Sequence, residues 1–274
     1  HHGITGDASA SRGDLGTAIE LAREHGAALE LMDDAWWGAS IPAPAPDASP
    51  SFLVGERSFP YSIMVDARGE RFANESASYV DLGHRMLEHA RQVDGPYWMI
   101  SDVRHGRRYL RSYTLQPGAV PALREAGLLH TAPTVAELAS ATALDPDRLV
   151  ATIRRFNGFA RTGVDQEFGR GNSAYDRYYG DPLVRPNPNL GPLLRGPFTA
   201  VKLVPGDLGT KGGLLTDTDA RVLRNDGSPI AGLYASGNTT ASVMGRTYPG
   251  PGSTLGPAAV FSYRAAQRLA NERG

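Results

Sequence analysis

Cysteine is absent from the 274 residues. No disulfide, thiolate nucleophile or cysteine-held iron–sulfur cluster can form. Long apolar runs are also missing. No stretch approaches the roughly 18 residues of a membrane-spanning helix, and none reads as a signal peptide. Charge of one sign is not in excess: 28 Lys and Arg stand against 29 Asp and Glu, a net charge of −1. That excludes the electrostatic footprint of a nucleic-acid or anionic-membrane binder. The 7 histidines are scattered without metal-ligand spacing, so no metal site is expected. What remains is a globular composition, 41% apolar and 21% charged, in a chain long enough for one large or two ordinary domains. His1 and His2 read equally as a tag remnant or as native chain, and no internal repeat is present.

The densest pattern runs from Gly232 to Arg264. Leu233 to Ala235 is a short apolar strand ending in small residues. Tyr248 to Gly252 is a constrained turn in which Pro249 and Pro251 set φ, and Gly250 and Gly252 are free to take φ > 0. Ser253 or Thr254 then caps a helix whose first turn tolerates Pro257. Small residues around a helix start let a planar group approach the backbone, and the helix dipole favours negative charge there. Each piece alone reads as an ordinary turn or packing junction.

Elsewhere the patterns are local. Asp14 is a plausible N-cap for a helix with Leu15, Ala18, Ile19 and Ala22 on one face, and Gly26 suits its C′ position. Trp36 and Trp37 precede a proline-rich crossover, Pro42 to Pro50. Ser62 to Asp66 reads as a strand, Ala67 to Glu70 as a hairpin turn, and Arg71-Phe72 as the start of a return strand. Thr134 to Glu137 is a capping box. Asp145-Pro146 opens a helix with Leu149, Ile153 and Phe156 on one face. Tyr175, Tyr178 and Tyr179 cluster in a polar loop, where surface packing explains them. Residues 183–199 are a Pro/Asn/Gly-rich linker, and Asn225-Asp226-Gly227 is a favoured hairpin turn.

Taken together and in order, these stretches resemble the flavoprotein superfamily of fumarate reductase and succinate dehydrogenase. The Tyr-Pro-Gly-Pro-Gly turn narrows the resemblance to the 3-ketosteroid Δ1-dehydrogenases, C-terminal half only. The family's N-terminal Gly-x-Gly-x-x-Gly fingerprint is not found; Gly250-Pro251-Gly252 with Gly256 is the nearest approach. Further matching stretches are Arg12 to Gly16, Asp33 to Gly38, Arg71-Phe72-Ala73-Asn74-Glu75, and Thr210 to Asp217. The resemblance implies an α+β or α/β fold: the C-terminal part of a flavin-binding Rossmann-like domain with an inserted substrate (catalytic) domain. Residues 1–36 are then the return segment of the FAD-binding domain, 37–198 the substrate domain, and 199–274 the C-terminal part of the FAD-binding domain.

The same resemblance implies FAD-dependent 1,2-desaturation of a 3-ketosteroid, within steroid degradation. Tyr79 is the matching position for the base that removes the C2 proton. Tyr248 O–H and the Gly252 N–H form the donor pair at the C3 oxygen. Gly237, Asn238, Ser253, Thr254 and Leu255 fall on the flavin contacts; Asn238 stands where many members carry an acidic residue. A tyrosine base with an ordinary pKa of about 10 implies an alkaline optimum. With no dinucleotide fingerprint, a second polypeptide or the missing half is expected to hold the ADP portion, so the chain expressed alone is expected to carry no flavin. A cytoplasmic location is expected, with membrane-peripheral association as an alternative. Competing readings are a fumarate-type or other enoate reductase, a ketosteroid dehydrogenase acting at another ring bond, and a non-catalytic partner subunit.

Overall fold

The computed structural model describes residues 13–272, so Arg12 and everything before it, including the Gly3–Asp7 opening, lie outside the described residues. In chain order the elements are helix α1 (Thr17–Glu24) and strands β1 (Leu29–Glu30), β2 (Ala35–Ile41), β3 (Ser51–Phe52) and β4 (Ser62–Val65). Next come α2 (Tyr79–His89), β5 (Tyr97–Ser101), α3 (Val103–Arg108), α4 (Ala119–Glu125) and β6 (Leu129–Ala132). Helices α5 (Val135–Ala141), α6 (Pro146–Thr162) and α7 (Ala174–Tyr178) lead to β7 (Phe198–Thr210). The chain ends with β8 (Gly213–Leu214), β9 (Arg221–Leu223), β10 (Pro229–Tyr234) and α8 (Leu255–Glu272).

Two compact units emerge: residues up to Trp37 with those from Asp207 on, and Gly38–Gly206 between them. The division at 206/207 falls inside β7, whose first half is tied to β5 and β6 by continuous pairing.

The larger unit is built on a sheet of order β3-β2-β7-β5-β4, with β6 also on β7. Strand alternation gives the sheet two cores. Met64, Tyr97, Met99, Val201 and Leu203 point to one face and meet Leu82 and Met86 of α2 and Leu123 of α4. Ile63, Val65, Trp98, Ile100 and Ala200 point to the other and meet Leu138 of α5 and Leu149, Ile153 and Phe156 of α6. Both expected caps form: the Thr134 hydroxyl accepts from Glu137 N–H, and Asp145 accepts from Asp147 and Arg148 N–H.

The expected turn at 67–70 forms, closed by Asp66 N–H on the Glu70 carbonyl at 2.9 Å, but no return strand follows it. Strand β4 pairs antiparallel with β5, beyond α2, and Arg71 is drawn instead into buried ion pairs. Tyr175 and Tyr178 lie on the short helix α7, where a loop was expected.

The smaller unit pairs β1 with β8 and β9 with β10 around a small core of Ala22, Ala27, Leu214 and Val222. The 225–227 turn closes the second pair, with Gly227 at φ +80°. Helix α1 begins later than expected. Gly16, in the left-handed region, takes the N-cap position in place of Asp14, and Leu15, outside the helix, is 76% exposed. Gly26 does terminate it at φ +86°.

Candidate active site

The smaller unit holds an open groove of about 440 Å³. Gly237, Asn238, Ser253 and Thr254 line it, together with Trp36 and Lys211. Its floor depends on glycine. A Cβ on Gly212 would lie 2.6 Å from the Leu31 carbonyl oxygen, and one on Gly213 would lie 2.4 Å from that of Thr239. The Gly-Gly pair therefore lets loops 31–32 and 239–240 close on β8. Gly237 (φ +72°) starts a short 3₁₀ turn whose carbonyl accepts from the Thr240 hydroxyl at 2.8 Å.

The Tyr248–Gly252 turn, none of whose residues is in the groove lining, precedes Ser253 and Thr254 and feeds α8. Gly250 and Gly252 have φ +148° and +96°, as the turn chemistry requires. A Cβ on Gly252 would meet nothing within 4 Å, so the space beside its Cα is open. The Ser253 hydroxyl donates back to the Gly250 carbonyl, which leaves Thr254 in the capping position. Among the described residues, the Thr254 and Leu255 N–H groups take no backbone acceptor. An 18-residue helix thus presents free N–H groups and its positive end here. Leu255 itself is 77% exposed and does not line the groove. Among the described residues, the lining contains no carboxylate and one cation, Lys211. Unshielded amides at the start of α8 and one cation fit the electron-rich pyrimidine edge of a flavin.

Tyr248 is half-buried, and its ring meets Trp36 edge-on at 6.0 Å. The Lys211 ammonium sits 4.4 Å from the centre of the same indole and donates to the Gly245 and Thr247 carbonyls, each at 2.8 Å. Arg246, between those carbonyls, pairs with Asp33 at 2.7 Å.

Tyr79 belongs to the larger unit and opens α2 there. Ser78 caps that helix by accepting from Asp81 N–H at 3.1 Å. The Tyr79 ring is 6% exposed and meets Phe52 edge-on at 5.4 Å. Phe52 rests on Gly38, where a Cβ would lie 2.2 Å from the ring. The Arg57 guanidinium donates to the Leu53, Glu75 and Ala77 carbonyls, joining the strand that carries Phe52 to the turn that leads into Tyr79. Burial pushes Arg57 down to about 10.

Behind this turn lies a buried ion network. Arg71 binds both oxygens of Glu75, at 2.8 and 2.7 Å, and both of Asp165, at 3.0 and 2.8 Å. Arg170 reaches Glu75 at 3.3 Å and donates to the Ser62 and Phe59 carbonyls. Burial pushes Glu75 up, but the charges of Arg71 and Arg170 outweigh it and hold the carboxyl below its usual range.

Sequence reasoning did not single out Lys211, Arg57, Phe52 or Gly38. Lys211 lay inside the Thr-Lys-Gly-Gly-Leu motif, where a cation among glycines was an available signal. Arg57 had none, because its acceptors are backbone carbonyls up to 20 residues away.

The FAD binding domain family matches residues 1–255. A 3-oxosteroid 1-dehydrogenase of Mycobacterium tuberculosis (strain ATCC 25618 / H37Rv) is 50% identical over 276 residues, covering 97% of this chain and 48% of that protein. A 4-oxocyclohexanecarboxylate 2-dehydrogenase of Sinomonas cyclohexanicum is 41% identical over 261 residues, covering 94% and 45%. The solved 3-ketosteroid delta1-dehydrogenase from Sterolibacterium denitrificans, in complex with 1,4-androstadiene-3,17-dione, is similar with a TM-score of 0.89. Its identity is 40%, over 97% of this chain and 48% of that one. This likeness bears out the expected fold class. The chain spans about half the length of the curated relatives it matches. Those relatives carry the matching stretch within one longer polypeptide, so the expected second polypeptide finds no support. No helix among the described residues is long and apolar enough to cross a membrane.

Proposed function

The chain belongs to the FAD-binding domain family, and from that premise we propose that it forms the flavin-facing C-terminal part of a 3-ketosteroid 1-dehydrogenase. The groove unit is the flavin-domain portion and residues 38–206 are the substrate domain. One observation carries the reading: the groove gathers Gly237, Asn238, Ser253 and Thr254, and the Tyr248–Gly252 turn stands against its Trp36 wall. The 50% identity to a 3-oxosteroid 1-dehydrogenase supports the substrate class. Among the described residues, the groove lining contains no arginine or histidine, which disfavours a dicarboxylate reductase.

FAD, when bound, supplies the acceptor for the hydride that leaves C1 of the steroid. The chain's own residues do the rest. Tyr79, as phenolate, takes the proton from C2. Tyr248 O–H and Gly252 N–H donate to the C3 oxygen, which gains negative charge as that proton leaves. Gly252 suits the task because a side chain would block the ketone from its N–H. The Thr254 and Leu255 N–H groups and the α8 dipole stabilise negative charge at the flavin edge.

The test is spectroscopic. The FAD-loaded enzyme mixed with 4-androstene-3,17-dione should lose its oxidised flavin absorbance, and Tyr79→Phe should abolish that bleaching while leaving flavin content unchanged. Bleaching that persists in Tyr79→Phe refutes the base assignment. Reoxidation of reduced enzyme by fumarate, without steroid bleaching, refutes the substrate class. Activity should rise toward alkaline pH; a profile flat down to pH 6 argues against a tyrosine base.

A further inference from the structure

Lys211 is 1% exposed, which is unusual for a lysine. Its backbone and side chain hold five points of the unit together. Its N–H donates to the Asp34 carbonyl at 3.0 Å, and its carbonyl accepts from Ser242 N–H at 2.9 Å. Its ammonium donates to the Gly245 and Thr247 carbonyls and lies over the Trp36 ring. Those two carbonyls immediately precede Tyr248, and Trp36 is the ring against which Tyr248 rests.

The geometry points to Lys211 as a positioning residue for Tyr248. The segment 242–248 consists of two tight turns, Gly245 N–H to the Ser242 carbonyl and Thr247 N–H to the Met244 carbonyl, braced by Met244 N–H to the Ser242 hydroxyl and the Thr247 hydroxyl to the Met244 carbonyl, and Arg246 at its tip is 53% exposed and pairs with Asp33. A buried ammonium with two charge-assisted bonds, each stronger than a neutral one, is the firmest anchor of this segment. Tyr248 then reaches the ketone from a fixed hinge, with its ring direction set by Trp36 and its backbone set by Lys211. Both contacts of the ammonium are lost together when the side chain is made apolar. The inference rests on the reading of Tyr248 as a donor to the C3 oxygen.

The test is a double-mutant cycle in the FAD-loaded enzyme, using Lys211→Met, which keeps an unbranched stem but removes the donors. Tyr248→Phe should lower kcat by about 10²–10³, the usual effect of losing one oxyanion donor. Lys211→Met should lower kcat by about 10–10² through misplacement of the phenol, with steroid KM nearly unchanged. The double variant should be no slower than Tyr248→Phe alone. Effects that multiply, or a Lys211→Met enzyme with full kcat, overturn the inference. Hydrogen exchange on the chain without flavin or steroid gives a second readout. Lys211→Met should speed exchange of the Gly245 and Thr247 amides about tenfold or more, with the α2 amides unaffected. Unchanged exchange at those two amides also overturns the inference. Full activity in Tyr248→Phe instead refutes the donor role of Tyr248, and the exchange result then decides alone whether Lys211 anchors the segment.

Discussion

In the unit spanning 38–206, Arg57, Arg71 and Arg170 are buried and tie together segments far apart in the chain. Arg71 and Asp165 are 94 positions apart, and Glu75 answers two of the three guanidiniums. In the other unit Lys211 is buried and holds one short segment beside the groove. Helices α6 and α8 repeat the contrast. Of similar length, α6 buries Leu149, Ile153 and Phe156, whereas α8 leaves Leu255, Val260 and Tyr263 more than half exposed. The larger unit uses its buried charge for a scaffold, and the smaller unit uses its own for one short segment of the proposed site. Loss of a scaffold charge should therefore be felt in folding, and loss of the anchor charge in turnover.

The sharpest way to break that contrast is Glu75→Ala. It strands Arg71 and Arg170 against each other, and breaking a buried network of this kind costs about 3–5 kcal/mol. Urea unfolding should show the loss; a change below about 1 kcal/mol would mean that the network is not the scaffold of its unit. Next is Gly38→Ala, whose Cβ must displace the Phe52 ring. Overpacking there should cost about 1–3 kcal/mol and, through Phe52, lower kcat by moving Tyr79. Unaltered kinetics would detach Phe52 from the positioning of Tyr79.

His105 supplies a pH test confined to the larger unit. Burial pushes its imidazole down to about 4, and its Nε2 bonds the Glu56 carbonyl at 3.0 Å. The unfolded imidazole titrates near 6.5, so the neutral form favoured by the fold contributes its full stability above about 6.5. That contribution is lost as pH falls from about 6.5 to about 4, reaching ~2 kcal/mol at pH 5. His105→Gln should flatten this limb of a stability–pH curve, and an unchanged limb would assign it to other groups. The smallest effect belongs to Arg246→Ala. The Arg246–Asp33 pair is more than half exposed on both sides, and its loss should change stability by less than about 1 kcal/mol. A loss comparable to that of Lys211→Met would show that the surface pair, and not the buried ammonium, holds the 242–248 segment.

Much of the larger unit was readable from the chain. The Thr134 and Asp145 caps and the α6 face were expected and are present, as were strand β4 and the 225–227 turn of the smaller unit. The false return strand at Arg71 and the false cap at Asp14 share one cause. Short-range turn chemistry favoured both, but a buried ion pair and a left-handed glycine took their places. At the candidate site, the small residues that line the groove lay in the family motifs, while Arg57 and Phe52 near Tyr79 carried no local signal.

Features whose partners lie within about four residues follow from local chemistry, because turn, cap and strand alternation have short range. The fate of a charge follows different physics. Composition alone places lysine and arginine in water. Lys211 reaches acceptors 34 and 36 positions away, and Arg170 reaches one 113 positions away. Only after the chain has folded do those carbonyls converge, and only that convergence makes burial of the cation cheaper than its hydration.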